Sequence, residues 1–137
     1  METASVLTLR LAEAIGLYAV ATGAGALIGP QRWLAIGPEL ERSPGLVLLM
    51  GIVAFAIGAA MLGAHHALTD PLADIISVIA AIVVAEGLLL IVAPDLMIAF
   101  GRPFLARPRV WAIVTLMAGV ALFLAGLTGR ADPTLFV

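Results

Sequence analysis

Four apolar windows dominate the chain, at residues 11–29, 46–64, 75–93 and 110–127. Each comes close to the roughly 20 residues that a helix needs to cross a bilayer core. A segment in lipid has no water to satisfy its backbone, and a helix satisfies its own N–H and C=O groups. The windows therefore predict an all-α integral membrane protein, a four-helix transmembrane bundle forming one membrane domain over residues 1–137. Composition agrees, with 63% hydrophobic and 12% charged residues, about half the charged share of a soluble domain. A soluble bundle needs a polar face on each helix, and the third window offers only Ser77 and Glu86. The run ISVIAAIVV is rich in β-branched residues but belongs to a window too long for one strand.

The N-terminus, METASVLTLR, places an acid before its first arginine and lacks the basic start of a cleavable signal. The first helix is accordingly expected to remain. Without cysteine there are no disulfides, thiolate nucleophiles or cysteine metal sites. The net charge of -2 includes no basic tract for nucleic acid. All seven cationic side chains are arginine. Arg32 and Arg42 separate the first two windows, and Arg102, Arg107 and Arg109 separate the last two, while only Arg10 and Arg130 lie on the opposite side. Positive charge in short loops marks the cytoplasmic face. Both termini and the HHALTDPLAD connection are then expected in the periplasm, with the chain in a bacterial inner membrane.

The two halves overlay at a shift of 64 residues. Gly23 falls on Gly87, the stretch LIGP on IVAP, Gly37 on Gly101 and Pro44 on Pro108. This defines two repeat units, approximately 8–66 and 72–130, each a helix ending near a proline, a short cytoplasmic segment and a second helix. An even number of helices per unit inserts both copies the same way up. That gives two parallel two-helix repeats, unlike the inverted repeats of many secondary transporters. The proline-following segments QRWLAIGPEL and DLMIAFGRPFL mix apolar and polar residues and suit the membrane interface, as do Trp33, Phe104 and Trp111.

The stretch from Glu86 to Gly126 resembles the YjeT-like small inner-membrane proteins, which have two helices and no established activity. The resemblance is carried by Glu86 and Gly87 before an apolar run, by Pro94, by the turn at Arg107 and Arg109, and by the region from Met117 to Gly119. The first half keeps Gly23 and Pro30 but has Thr22 at the position of the glutamate. The resemblance implies a fused tandem version with one degenerate copy, acting as a small accessory membrane protein, and it supplies no catalytic residue.

Small residues mark where helices can approach. Ala12, Gly16, Ala19, Gly23 and Ala26 form a stripe on the first helix, Ala54 and Gly58 then Ala59 and Gly63 recur on the second, and Thr115 and Gly119 on the fourth. Such stripes let membrane helices pack closely. Gly16, Ala19, Gly23, Gly58 and Gly119 are the expected packing positions, used first within this chain's own bundle.

Two acids lie within the spans. Glu86 follows Asp74 by twelve residues, roughly 18 Å of helical rise, and an ionisable group at such depth is costly enough to suggest a function. It is read as an assembly contact, with Thr22 or Thr115 as possible partners inside the chain. Glu13 stands one turn after Arg10, and an intrahelical pair is the expected arrangement. The stretch LAEAIG around Glu13 is similar to the first helix of small multidrug exporters, a family from which the repeat architecture departs. His65 and His66 end the second helix. Imidazoles can ligate haem iron or zinc, but neighbours on a helix point about 100° apart, so a polar cap is the expected role. Asp70 is expected to cap the third helix, with Pro71 and Asp74 in its first turn.

Three functional classes follow. The leading one is a small accessory or structural subunit stabilising a larger membrane complex through helix packing, in contact with lipids and with other integral subunits or a second copy. The alternatives are a homodimeric small-molecule or proton-coupled transporter using Glu86 or Glu13, and a haem- or quinone-associated anchor. No enzymatic activity, cofactor or metal is expected, since no Ser–His–Asp set, phosphate loop or carboxylate pair appears.

Overall fold

A computed structural model of the protein describes residues 2–65 and 71–129, with side chains from Val6 onward. His66, Asp70 and Arg130 lie outside the described residues. Within them the chain is helical almost throughout. The helices are α1 (Glu2–Ile28), α2 (Pro30–Arg42), α3 (Pro44–Ala64), α4 (Pro71–Val92), α5 (Pro94–Leu105) and α6 (Pro108–Leu127). Four of them, α1, α3, α4 and α6, hold segments long and apolar enough to cross a membrane. The expectation of four helices is corrected to six, because the two proline-following segments are themselves the helices α2 and α5.

Proline divides these helices. Five of the six begin at one, where its missing N–H costs nothing and its fixed φ suits the first turn. Proline also drives the residue before it out of the α region. Gly29 (φ -128°, ψ 61°), Ser43 (φ -127°, ψ 81°), Ala93 (φ -138°, ψ 62°) and Arg107 (φ -125°, ψ 60°) all obey this, and none of them caps the next helix with its side chain. One or two residues therefore suffice to end one helix and start the next. Pro38 and Pro103 fall inside α2 and α5.

The long helices form two close pairs, α1 with α6 and α3 with α4, while α1 and α4 meet more sparingly. Each half of the chain thus lends its first helix to the second helix of the other half. Both pairs are antiparallel and rest on glycine. A Cβ on Gly16 would lie 2.5 Å from Phe123 N and 2.8 Å from Gly119 O. One on Gly119 would lie 2.7 Å from Val20 N and 2.8 Å from Ala19 Cβ. One on Gly23 would meet Ala112 O at 2.8 Å. In the other pair, a Cβ on Gly58 would meet Val84 N at 2.7 Å, and one on Gly87 would strike Phe55 N and Gly51 O. Backbone this close leaves no space for a side chain and places packing contacts along the whole crossing.

Helix starts obey the 64-residue shift, Pro30 with Pro94 and Pro44 with Pro108. The helix pairs do not obey it fully. Gly87 faces Phe55, so its counterpart Gly23 should face Gly119, yet Gly23 faces Leu116. The α1–α6 pair is displaced by three residues, about 4.5 Å of rise. The displacement interleaves the glycines of α1 and α6 where a strict repeat would stack Gly23 on Gly119.

The core lies at the end away from α2 and α5. Ala12, Leu72 and Ile76 are buried there, with Leu9, Ile15, Met61, Leu122 and Ala125 packed around them, so all four long helices contribute. At the other end α2 contacts α5, which brings Arg32, Arg42, Arg102, Arg107 and Arg109 to one end of the bundle. Aromatic rings gather there, Phe104 standing 4.5 Å from Trp111 and 5.6 Å from Phe100 between centroids.

Candidate functional site

The polar groups of the spans include a buried network, an ion pair within α1 and an exposed acid. His65 follows α3 as its C-cap, its N–H bonded to Met61 O at 2.9 Å. Its ring turns inward and is only 3% exposed. Nε2 lies 2.6 Å from Thr8 Oγ1 on α1, and Nδ1 lies 3.2 Å from Ser77 Oγ on α4. A neutral imidazole has one donor and one acceptor, and a hydroxyl can answer either. The network ties α1, the end of α3 and α4 together beside the Ala12–Leu72–Ile76 core.

Sequence reasoning placed His65 at an interfacial cap and missed Thr8 and Ser77 as its partners. The available signal was the only serine of the third window, one turn past Asp74 in a helix otherwise free of hydroxyls. With both ring nitrogens engaged, His65 has no lone pair to spare for a metal. Among the described residues no group of three or more histidines and carboxylates is placed to hold one. Ser77→Ala should lower thermal stability by about 0.6 kcal/mol, and by up to about 2 if Nδ1 is left without water. His65→Leu should cost more, because it removes both hydrogen bonds of the network at once. Thermal unfolding in detergent gives the ranking, and equal midpoints for wild type and His65→Leu would contradict it.

Glu13 is paired. Arg10 Nη1 donates to Glu13 Oε2 at 2.8 Å, the intrahelical arrangement expected from their spacing. Gly126 makes room for it, since a Cβ there would lie 2.7 Å from Glu13 Cγ. An acid with its own arginine and a fitted glycine is held as part of the α1–α6 contact.

Glu86 differs. Gly87, next to it, faces α3 and is buried, while Glu86 points outward and is exposed. It makes no hydrogen bond or ion pair among the described residues. Thr22 and Thr115 line a cavity of about 120 Å³ with Trp33, Phe104 and Trp111, and they do not meet Glu86. The intrachain partner considered from sequence is therefore replaced by an outward-facing carboxyl. Its surroundings on α4 are Ile82, 60% exposed, and Leu89, 41% exposed, surfaces suited to lipid or to another helix.

The remaining expected packing residues fall at helix contacts: Gly16, Ala19, Gly23 and Gly119 between α1 and α6, Gly58 between α3 and α4. Gly51, Gly87 and Gly126 join them. Gly63 has open space where a side chain would stand. Glu41 and Arg102 form an ion pair between α2 and α5 that sequence reasoning did not single out, with Arg102 Nη2 and Nε donating to Glu41 Oε1 at 2.7 and 3.1 Å.

Searches against known families, curated proteins and solved structures find no match to this chain.

Proposed function

We propose that this protein is a small accessory or structural subunit of a larger bacterial inner-membrane assembly, related to the YjeT-like proteins as a fused tandem version. The observation that carries this reading is Glu86. A carboxyl on the outside of a membrane span is costly against lipid, and a neighbouring helix with a donor removes that cost. The bundle's architecture supports the same reading. Gly16, Gly23, Gly119 and Gly126 are consumed inside the α1–α6 pair and Gly51, Gly58 and Gly87 inside the α3–α4 pair, and large apolar residues such as Val78, Ile82, Met117 and Leu124 cover its outer faces. The shared helix starts of α2 with α5 and of α3 with α6 support the tandem origin.

Gentle extraction followed by mass determination and an absorption spectrum tests the proposal. A stoichiometric complex with other integral subunits is the expected outcome. An isolated chain that releases protons on adding substrate would favour the transporter, and a Soret band would favour the haem anchor.

The orientation proposed for the chain has both termini in the periplasm and the α2–α5 end in the cytoplasm. A reporter active only in the periplasm should work when fused after Val137 or inserted near Thr69, and should fail after Leu40 or Leu105. Activity after Leu40 together with silence after Val137 would invert the orientation.

A further inference from the structure

Two clefts open at the arginine-rich end, and their charges differ. One cleft, of about 330 Å³, opens between α2, α3, α4 and α5. This is within the size range of small-ligand sites, about 300–1,000 Å³. Its floor includes Val47, 3% exposed, and Leu90, 8% exposed, with Ile98 on the wall. Its mouth carries Glu41, Asp95 and Arg102. Under the shift these three correspond to Leu105, Gln31 and Pro38. The second cleft, of about 430 Å³, shares only Pro30, Gln31, Leu34 and Pro108 with the shifted counterparts of the first and is lined by Arg107 and Arg109 and by no acid.

The charged groups of the first cleft are incompletely used. Both hydrogen bonds from Arg102 land on Glu41 Oε1. An ionised arginine has five N–H donors and a carboxylate about four acceptor sites, so Arg102 Nη1 and Glu41 Oε2 remain to be engaged. Asp95 has no hydrogen bond or ion pair among the described residues. The pair is also open to exchange, with the side chains of Arg102 and Glu41 65% and 46% exposed. The mouth thus offers a cation and two carboxylates above an apolar floor, at the level where the long helices meet the interfacial ones.

We propose that this cleft binds a zwitterionic phospholipid carrying a primary ammonium, phosphatidylethanolamine. Arg102 takes the phosphate, since a guanidinium fork matches phosphate oxygens. Glu41 and Asp95 take the ammonium, and the first methylenes of an acyl chain lie along Val47, Leu90 and Ile98. An anionic lipid would set its phosphate beside two carboxylates without a cation of its own to answer them, so the site discriminates by headgroup. The proposal requires the membrane placement of the four spans and is independent of the accessory role.

The test is native mass spectrometry of the full chain in detergent, after incubation with equimolar phosphatidylethanolamine and phosphatidylglycerol. Wild type should retain phosphatidylethanolamine. Arg102→Gln should reduce that retention about tenfold, which corresponds to about 1.4 kcal/mol. Glu41→Gln with Asp95→Asn should also reduce it and shift the preference toward phosphatidylglycerol. Ile98→Trp, which fills the cleft and leaves its charges, should reduce retention of both at this site, and Ile82→Trp on the outer face of α4 should not. Helicity and monodispersity are checked for each variant, and Ile98→Trp carries the test if Arg102→Gln does not fold. Unchanged phosphatidylethanolamine retention in Arg102→Gln or Ile98→Trp would overturn the proposal. So would an equal loss on replacing Arg107 and Arg109 with glutamine.

Discussion

Gly87→Leu should separate α3 from α4 and lower the amount of folded protein about tenfold. A side chain at Gly87 would strike Phe55 N and Gly51 O, and both obstacles are backbone of a continuous helix. Neither can rotate away, so α3 must move as a unit. Gly58 and Gly51 make the same crossing, with a Cβ at Gly58 falling 2.7 Å from Val84 N and one at Gly51 falling 2.9 Å from Ile91 Cγ1. Displacement at one therefore opens the contact at all three. Overpacking of this kind costs about 1–3 kcal/mol, and about 1.4 kcal/mol is a factor of ten. Gly63→Leu provides the control, since a Cβ there meets nothing within 4 Å. Quantitative fluorescence size-exclusion from membranes at matched synthesis compares the two. Equal recovery of Gly87→Leu and Gly63→Leu would show that the α3–α4 crossing is not a close one.

The spans were legible because lipid imposes a length and a composition at once. Three of the apolar windows lie within a few residues of their helices, with Pro44, Pro71 and Pro108 marking the starts, while α1 begins nine residues before the first window. The helical state of α2 and α5 was obscured by Gly37 with Pro38 and by Gly101 with Pro103, pairs that ordinarily read as breaks. Pro30 and Pro94 at their first positions outweigh this, because proline fixes the entry φ of a short helix.

Pair choice was less legible. A stripe such as Gly16, Ala19 and Gly23 says that a helix will be close to something, but any other small or well-shaped face satisfies it. That α1 takes α6, and α4 takes α3, depends on the three-dimensional closure of both halves. The same reason hid the His65 network. Thr8, His65 and Ser77 are separated by 57 and 12 residues, and nothing local announces that they converge. Glu86 was the reverse case, conspicuous in sequence for its depth in an apolar run. Its direction was legible as well, in principle. Gly87 occupies the close crossing, and the adjacent residue on a helix is turned about 100° away from it.

That outward direction leaves Glu86 free to meet a partner helix. Exchange for glutamine keeps the shape and hydrogen-bonding capacity of the side chain and removes its titrating proton. Exchange for leucine removes the polar contact and leaves a residue that lipid accepts. A hydrogen bond between membrane helices is worth ~0.6 kcal/mol on average and up to about 2, so its loss should weaken recovery of a partner by about threefold to thirtyfold. Neither variant should disturb the fold, because Glu86 has no partner within the described residues.

The decisive measurement is co-purification of integral partners from membranes holding wild type, Glu86→Gln and Glu86→Leu at matched levels, scored beside host growth. An assembly contact requires that Glu86→Gln recover the partner and support growth like wild type, while Glu86→Leu inserts normally and loses the partner. Full partner recovery with lost growth in Glu86→Gln would contradict that role and assign Glu86 to proton or cation coupling.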